Sequence, residues 1–430
     1  MAKAPAPFCL RATPLAVLAA LALGHGAAAR AAPEPTPKGA QTRKLSRDKQ
    51  WAFDLAVPAN KRGESPEKVA LGERLFFDKR LSSDGTVSCA TCHIPQQGFV
   101  DHLSVSEGVG RQKGQRNTPT VLNALLQERQ FWDGRADTLE DQAKLPVLNP
   151  IEMGMKSPAS VEAALRQDAD YVRDFEAVFG ALSFDLMADA ITAYERTQIS
   201  LQAPYDDYLE GQRAALGAAE RRGMDLFNGK ARCTDCHGAN NVAPLFSDQK
   251  FHNIGTAADK ASFNELAREA THAVDHTDKQ QVDEMALQSK FSELGRFLVT
   301  KQRQDIGAFK TQTLRNIGIT APYMHDGSLA TLWDVVDHYN RGGLANPYLD
   351  GGIQRLGLSE AEVDDLVAFL FSLTDHRYDQ LNAAEHRRQR RQSRRTRPRR
   401  DTAAAMGKRG DYGDVGVLSE FKDMARAGAY

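Results

Sequence analysis

The chain has 430 residues, 41% of them hydrophobic and 26% charged, with a formal net charge of −1. That composition supports an ordinary globular core and excludes a collagen-like or low-complexity polymer. The near-zero total hides an asymmetry: residues 385–430 carry thirteen Lys/Arg against six Asp/Glu, so the remaining body is acidic. Five cysteines are too few and too unevenly placed for a disulfide scaffold.

Lys3 and Arg11 are followed by "PLAVLAALALGHGAAA", an apolar run too short to remain as a transmembrane helix. With small residues near Ala31 and Ala32, residues 1–32 read as a cleaved secretory signal; an uncleaved anchor is the alternative. Cys9 precedes the run and is not placed like a lipoprotein cysteine. No later stretch is apolar enough for a bilayer, so a soluble, exported mature chain is expected. Residues 33–65 are polar and proline-bearing and read as a linker.

An internal echo follows. "LGERLFF" (71–77) stands before "CATCH" (89–93), and "RGMDLFN" (222–228) stands before "CTDCH" (233–237). Both carry G-x-x-L-F, Gly72-Leu75-Phe76 and Gly223-Leu226-Phe227. Leu and Phe fall at helical spacing, with a glycine one turn away where a crossing helix could approach closely. Each unit has a candidate closing helix. One spans 185–201 and aligns Met187, Ile191 and Tyr194. The other opens on the capping box Ser359/Glu362 and carries Val363, Leu366, Phe369, Leu370 and Leu373. Alternating strand patterns are scarce, so the fold is expected to be mainly α. A polar insertion between His252 and Thr311 has no clear structural pattern, and residues 381–430, with their arginine block, read as a disordered tail.

Four of the five cysteines lie in the two C-x-x-C-H units. At that spacing two thiols can add across the vinyl groups of one haem, and the histidine falls under the iron as an axial ligand. A zinc half-site or a redox dithiol uses a similar spacing, and two half-sites could combine into one zinc site. The two separate echoing frames and the export signal favour two covalent haems c, attached through Cys89, Cys92, Cys233 and Cys236, with His93 and His237 as ligands to the haem irons. Two haems do not specify a reaction: a haem with two strong axial ligands carries electrons, whereas an open position binds peroxide or oxygen.

Longer motifs carry a resemblance. "LFFDKRLSSDGTVSCATCH", "GRQKGQRNTPTVLNA", "QFWDGRADTLEDQAKLPVLNPIEM", "FKTQTLRNIGITAPYMHDGSLATL" and "VVDHYNRGG" resemble the bacterial di-haem cytochrome c peroxidases and their relative MauG, over roughly residues 66–376. The resemblance implies two packed cytochrome c-like domains, 66–205 and 206–380, with one haem each. The peroxidases close the N-terminal haem with a histidine; the matching place here is Val109, which cannot ligate iron, and His102 is the nearest histidine before it. The matching place for the second haem's outer ligand is Tyr339, as in MauG, with His338 and Met324 as other conceivable donors and a core aromatic beside Trp333 and Val336 as the plain alternative. A phenolate is a hard anionic donor and favours ferric iron.

The resemblance further implies Glu152 as the acid/base, Gln142 as the pocket amide, Pro146 as a limit on access and Trp132 as an electron relay between the haems. It implies a calcium ion held by Asn117, Thr320 and Pro322. His252 and His325 are expected as hydrogen-bonding residues near the second haem. Gln115 and Gln312 replace prolines of the family pattern and are expected to loosen their loops. The resulting expectation is a periplasmic oxidoreductase that reacts with hydrogen peroxide and oxidises a partner protein over a distance. A peroxidase fed by a small cytochrome or copper protein, and a non-enzymatic electron carrier, are the alternatives. Nucleic acid is not expected as a partner. Removing residues 385–430 is expected to leave both haem spectra unchanged.

Overall fold

The computed structural model describes residues 64–238, 245–257, 263–273 and 277–396. The expected signal segment, nearly all of the linker and residues 397–430 lie outside the described residues. The described part is mainly helical, with one two-stranded ribbon as its sheet.

Helix α1 (Pro66–Phe76) starts where the Ser65 hydroxyl accepts from the Lys68 N–H at 3.2 Å, with proline in its first turn. A one-turn helix, α2 (Cys89–Cys92), carries the first cysteine pair. Helices α3 (Leu139–Leu148), α4 (Pro158–Arg166) and α5 (Ala169–Phe179) lead to α6 (Phe184–Arg196). Helix α6 crosses α1 and buries Met187, Ile191 and Tyr194. It stops at Arg196, five residues short of the expected end: Thr197 caps it, and Asn123 takes over the polar groups beyond. The Asn123 N–H donates to the Gln198 carbonyl, and its Oδ1 accepts from the Ser200 N–H.

The second half repeats the pairing. After α7 (Pro204–Leu209), helix α8 (Ala218–Asn228) lies against a later helix, Glu360–Phe371, whose Ser359/Glu362 capping box is present as expected. The echoing glycines explain both crossings. A Cβ on Gly72 would fall 1.8 Å from the Ala190 carbonyl oxygen, and one on Gly223 would fall 2.0 Å from that of Asp365. The phenylalanines repeat as well. The Phe76 ring sits 5.2 Å from Tyr194, and the Phe227 ring sits 5.2 Å from Phe369. Each buried aromatic of this kind contributes about 1.5–3 kcal/mol. Two apolar clusters result, one built around Leu75, Phe76 and Ile191, the other around Phe227, Phe246 and Phe369.

The insertion is a folded excursion closed at its base. Strand β1 (Phe251–His252) pairs antiparallel with β2 (Phe309–Lys310), placing Phe251 opposite Lys310 and His252 opposite Phe309. Between them lie α9 (Phe263–Ala273), α10 (Lys279–Gln288) and α11 (Phe297–Thr300), around a small core that includes Phe263, Ala270, Leu294 and Phe297. Helices α12 (Leu332–Asn340) and α13 (Glu360–Phe371) complete the second half.

The arginine block departs from expectation. Residues Asp379–Thr396 form helix α14, packed near α12. Glu385, Gln389 and Ser393 recur every four residues and are buried, while Arg387, Arg391, Arg394 and Arg395 face outward. Gln389 is fully enclosed: its amide donates to the Gly318 carbonyl and the Tyr323 hydroxyl, and its carbonyl accepts from the Leu332 N–H. A polar stripe with fully met hydrogen bonds holds the helix down where an apolar stripe is usual.

Candidate active site

The two C-x-x-C-H units line two different cavities. Cys89, Cys92 and His93 face the first, and Cys233, Cys236 and His237 face the second. In each, the histidine N–H bonds back to the first cysteine's carbonyl, His93 to Cys89 at 2.9 Å and His237 to Cys233 at 2.7 Å. The ring Nδ1 of His93 lies 3.3 Å from the Phe99 carbonyl, and that of His237 lies 2.7 Å from the Phe246 carbonyl. A carbonyl only accepts, so Nδ1 carries the proton and Nε2 remains available as a donor to iron. Phe99 and Phe246 both adopt left-handed backbone, with φ of 59° and 55°. The motif F-x-D follows each C-x-x-C-H, as Phe99-Asp101 and Phe246-Asp248, and was a legible signal that sequence reasoning missed.

These arrangements fit covalent haem. Burial pushes the thiols of Cys92 and Cys233 up to about 12 and that of Cys89 higher still, so free thiolates are disfavoured at neutral pH. The two pairs line separate cavities, which removes the combined zinc site as an explanation. Each cavity wall also contains a buried donor without an acceptor: Arg116 in the first and Gln312 in the second.

The first cavity receives Gln142 and Pro146 from one face of α3, at i and i+4, together with Glu152 from the following turn. Among the described residues lining it, His93 is the only histidine. Val109 is buried, with its N–H on the Glu152 carbonyl, and His102 is turned away, its Nδ1 donating to the Ala321 carbonyl at 2.8 Å. Glu152 Oε2 is enclosed and unpartnered. Burial, and then the Asp283 carboxylate, push its pKa up to about 8, against the pull of Arg135. Arg135 is itself held by Asp133 at 3.0 Å and by Asp283 at 2.8 Å, and Asn149 also donates to Asp283. Asp283 stands on α10 of the insertion, so sequence reasoning had no route to it. Glu195 of α6 lines the same cavity, and burial pushes it up to about 8.

The second cavity is lined by Tyr339 of α12 and by Met324, His252 and His325. His338, one turn residue away, is committed elsewhere: its Nε2 lies 2.8 Å from the Ile254 carbonyl. Burial, and then the nearby Cys236 and Cys233, push the Tyr339 phenol well above its ordinary value, so a phenolate there requires a compensating cation. His252 sits between Asp248 at 2.9 Å and Asp350 at 2.6 Å, and His325 pairs with Glu293 at 2.9 Å. Thr320 and Pro322 line this cavity too.

One wall serves both cavities. Residues 117–120 and Trp132 line the first and the second alike. The Trp132 indole N–H donates to the Asn117 carbonyl at 2.8 Å, and the Asn117 N–H donates to the His325 carbonyl at 2.8 Å. Gln115, expected to loosen its loop, is instead tied to the insertion, its Oε1 accepting from the Ser292 hydroxyl at 2.6 Å.

Two helix-paired halves, each presenting a C-x-x-C-H turn to its own cavity, define a di-haem c-type protein. A family model described as di-haem cytochrome c peroxidase matches residues 66–214. The chain is 37% identical over 316 residues to cytochrome-c peroxidase IdrP1 of Pseudomonas sp. strain SCT, covering 72% of this chain and 82% of that one. It is 40% identical over 312 residues to methylamine utilization protein MauG of Methylorubrum extorquens, covering 72% and 78%. A solved MauG-like protein associated with microbial copper homeostasis superposes with a TM-score of 0.62 at 35% identity, covering 76% of this chain and 94% of that one. The chain belongs to the di-haem cytochrome c peroxidase/MauG family. It is accordingly an oxidoreductase with two haem c groups.

Proposed function

We propose that the chain is a MauG-like oxidoreductase of the periplasm, made of halves 66–205 and 206–380, which uses hydrogen peroxide in the first cavity to oxidise a partner protein. Haem, when bound there, would supply an iron able to give electrons to peroxide. Glu152 takes the proton from one peroxide oxygen and returns it to the other. A carboxyl group whose pKa is near neutrality can do both within one turnover. Gln142 orients the peroxide, and Pro146 narrows the approach. Trp132 stands in the shared wall as the relay for electrons arriving from the second half. Tyr339 supplies the oxygen donor to the second iron, and Asn117, Thr320 and Pro322 supply oxygens to a calcium ion. The unpartnered Glu152 carboxyl, in a cavity where His93 is the only histidine among the described lining residues, carries this reading.

Peroxidase action with a small cytochrome or copper donor is the second reading, supported by the relatives named cytochrome-c peroxidase. Electron paramagnetic resonance of the ferric protein tests the proposal. One high-spin and one low-spin signal are expected, and Tyr339→Phe is expected to alter the low-spin signal alone. A low-spin signal that persists unaltered rejects Tyr339 as the ligand. Rapid turnover with reduced small cytochromes favours the second reading.

A further inference from the structure

Arg116 precedes Asn117 in the chain and lines the first cavity. It is 8% exposed. Its Nη2 donates to the Ser292 carbonyl of the insertion, and its guanidinium lies 4.9 Å from the Phe309 ring centre. Phe309 in turn stacks on His325 at 3.8 Å. The guanidinium is therefore pinned on one edge and backed by a ring. Its Nε and Nη1 meet no acceptor.

Arginine cannot shed its charge, so this cation is buried with two donors unmet. Each unmet donor costs about 1–3 kcal/mol, and an unpaired buried charge costs more. The neighbouring carboxylates do not remove the cost. Asp133, Glu293 and Asp326 act on Arg116 through space alone, while Asp133 is bound to Arg135 and Glu293 to His325. Of the other carboxyl groups facing the cavity, Glu152 responds to Asp283 and Arg135, and Glu195 to Arg196. Neither neutralises Arg116.

We propose that Arg116 is a carboxylate anchor: one of its two free donors, Nε or Nη1, takes a propionate oxygen of the haem held in the first cavity. A hydrogen bond between a cationic N–H and a carboxylate is roughly twice as strong as a neutral one. The insertion takes part, because Ser292 fixes the guanidinium through Nη2. A free carboxylate from solution would offer the same chemistry.

The inference rests on haem in the first cavity, so haem content per chain is measured first; a wild-type chain without two haems overturns that reading and the anchor with it, whereas the variants below test the anchor alone. Thioether attachment at Cys89 and Cys92 should keep haem in Arg116→Met and Arg116→Lys. The potential of the first haem is then followed by potentiometric titration from about pH 5 to about pH 9. Arg116→Met is expected to lower it at neutral pH and to add an inflection below neutrality that the wild type lacks. Arg116→Lys should restore most of the wild-type profile. Superimposable profiles for wild type and Arg116→Met overturn the proposal. So does a wild-type profile that moves on addition of acetate, which would place a solute anion against the guanidinium. If neither variant folds, a crystal structure of the wild-type holoprotein decides. A propionate oxygen within hydrogen-bonding distance of Nε or Nη1 supports the anchor; other groups at both donors refute it.

Discussion

The two cavities begin with the same motif and end with different chemistry. Around the first, charged and titratable side chains converge: Glu152, Glu195, Arg116 and Arg135 all line it. Around the second, Leu332, Val335, Leu356 and Leu370 share the wall with Tyr339, and charged groups there are paired, Arg232 with Asp235, His252 with Asp248 and His325 with Glu293; among the described lining residues, the buried carboxyl oxygens without a partner, on Glu152 and Glu195, belong to the first. A duplicated helix pair thus provides a common cradle, and the loops between its members decide what the cradle does. The first is suited to moving a proton onto a small polar molecule. On the proposed reading, the second holds its metal centre between His237 and Tyr339.

The sharpest way to break this comparison is Glu152→Gln. Peroxide-dependent oxidation should fall by about 10²–10⁴-fold in stopped-flow assays, with the low-spin spectrum unaltered. A loss of only a few-fold would mean that the polar cavity is not where peroxide reacts. Next in size are Gly72→Ala and Gly223→Ala. Each forces a methyl group against a backbone carbonyl that cannot move aside, and each should cost about 1–3 kcal/mol or more in thermal or denaturant unfolding. Equal losses would mean that the two halves depend equally on their crossings.

A smaller effect is expected at α14. A chain ending after Thr396 should melt like the full chain. One ending before Glu385 should lose about 1–2 kcal/mol, because the Gly318 carbonyl, the Tyr323 hydroxyl and the Leu332 N–H lose Gln389. Tyr323 lines the second cavity, so the longer deletion should perturb the second haem's spectrum and not the first's. This replaces the sequence-based expectation that both spectra would survive it.

The smallest effect concerns Glu195. Burial raises its folded pKa from the ordinary 4.5 to about 8, so its neutral form favours folding. That stability is complete below about pH 4.5 and is lost as pH rises through about 8. Glu195→Gln should therefore leave stability unaltered near pH 4 and raise it by about 1 kcal/mol near pH 9, read from denaturant unfolding. No change at high pH would mean that the carboxyl group finds a cation in the holoprotein.

Much of this architecture was legible because the chain repeats itself. G-x-x-L-F announced the crossings, C-x-x-C-H announced the two turns that face the cavities, and the family motifs pointed to Glu152 and Gln142, which line the first cavity, and to Tyr339, which lines the second. What stayed hidden has one physical cause: contacts between distant, polar segments leave no period in the sequence. Asp283 and Ser292 belong to a stretch with little apolar patterning, yet they reach Arg135 and Arg116, 148 and 176 residues away. Gln389 sits in an arginine run whose composition signals disorder, and its helix is revealed only by polar residues at every fourth place.

The insertion grips the molecule at several points near its centre. Asp283 holds Arg135, Ser292 holds Arg116, Glu293 holds His325, and Arg296 donates to the carbonyls of Asp133 and Gly134 on either side of the turn after Trp132. A replacement confined to this one excursion would retune both redox centres together. Descendants could thereby acquire new working potentials by exchanging a single module, with every residue that touches iron left as it was.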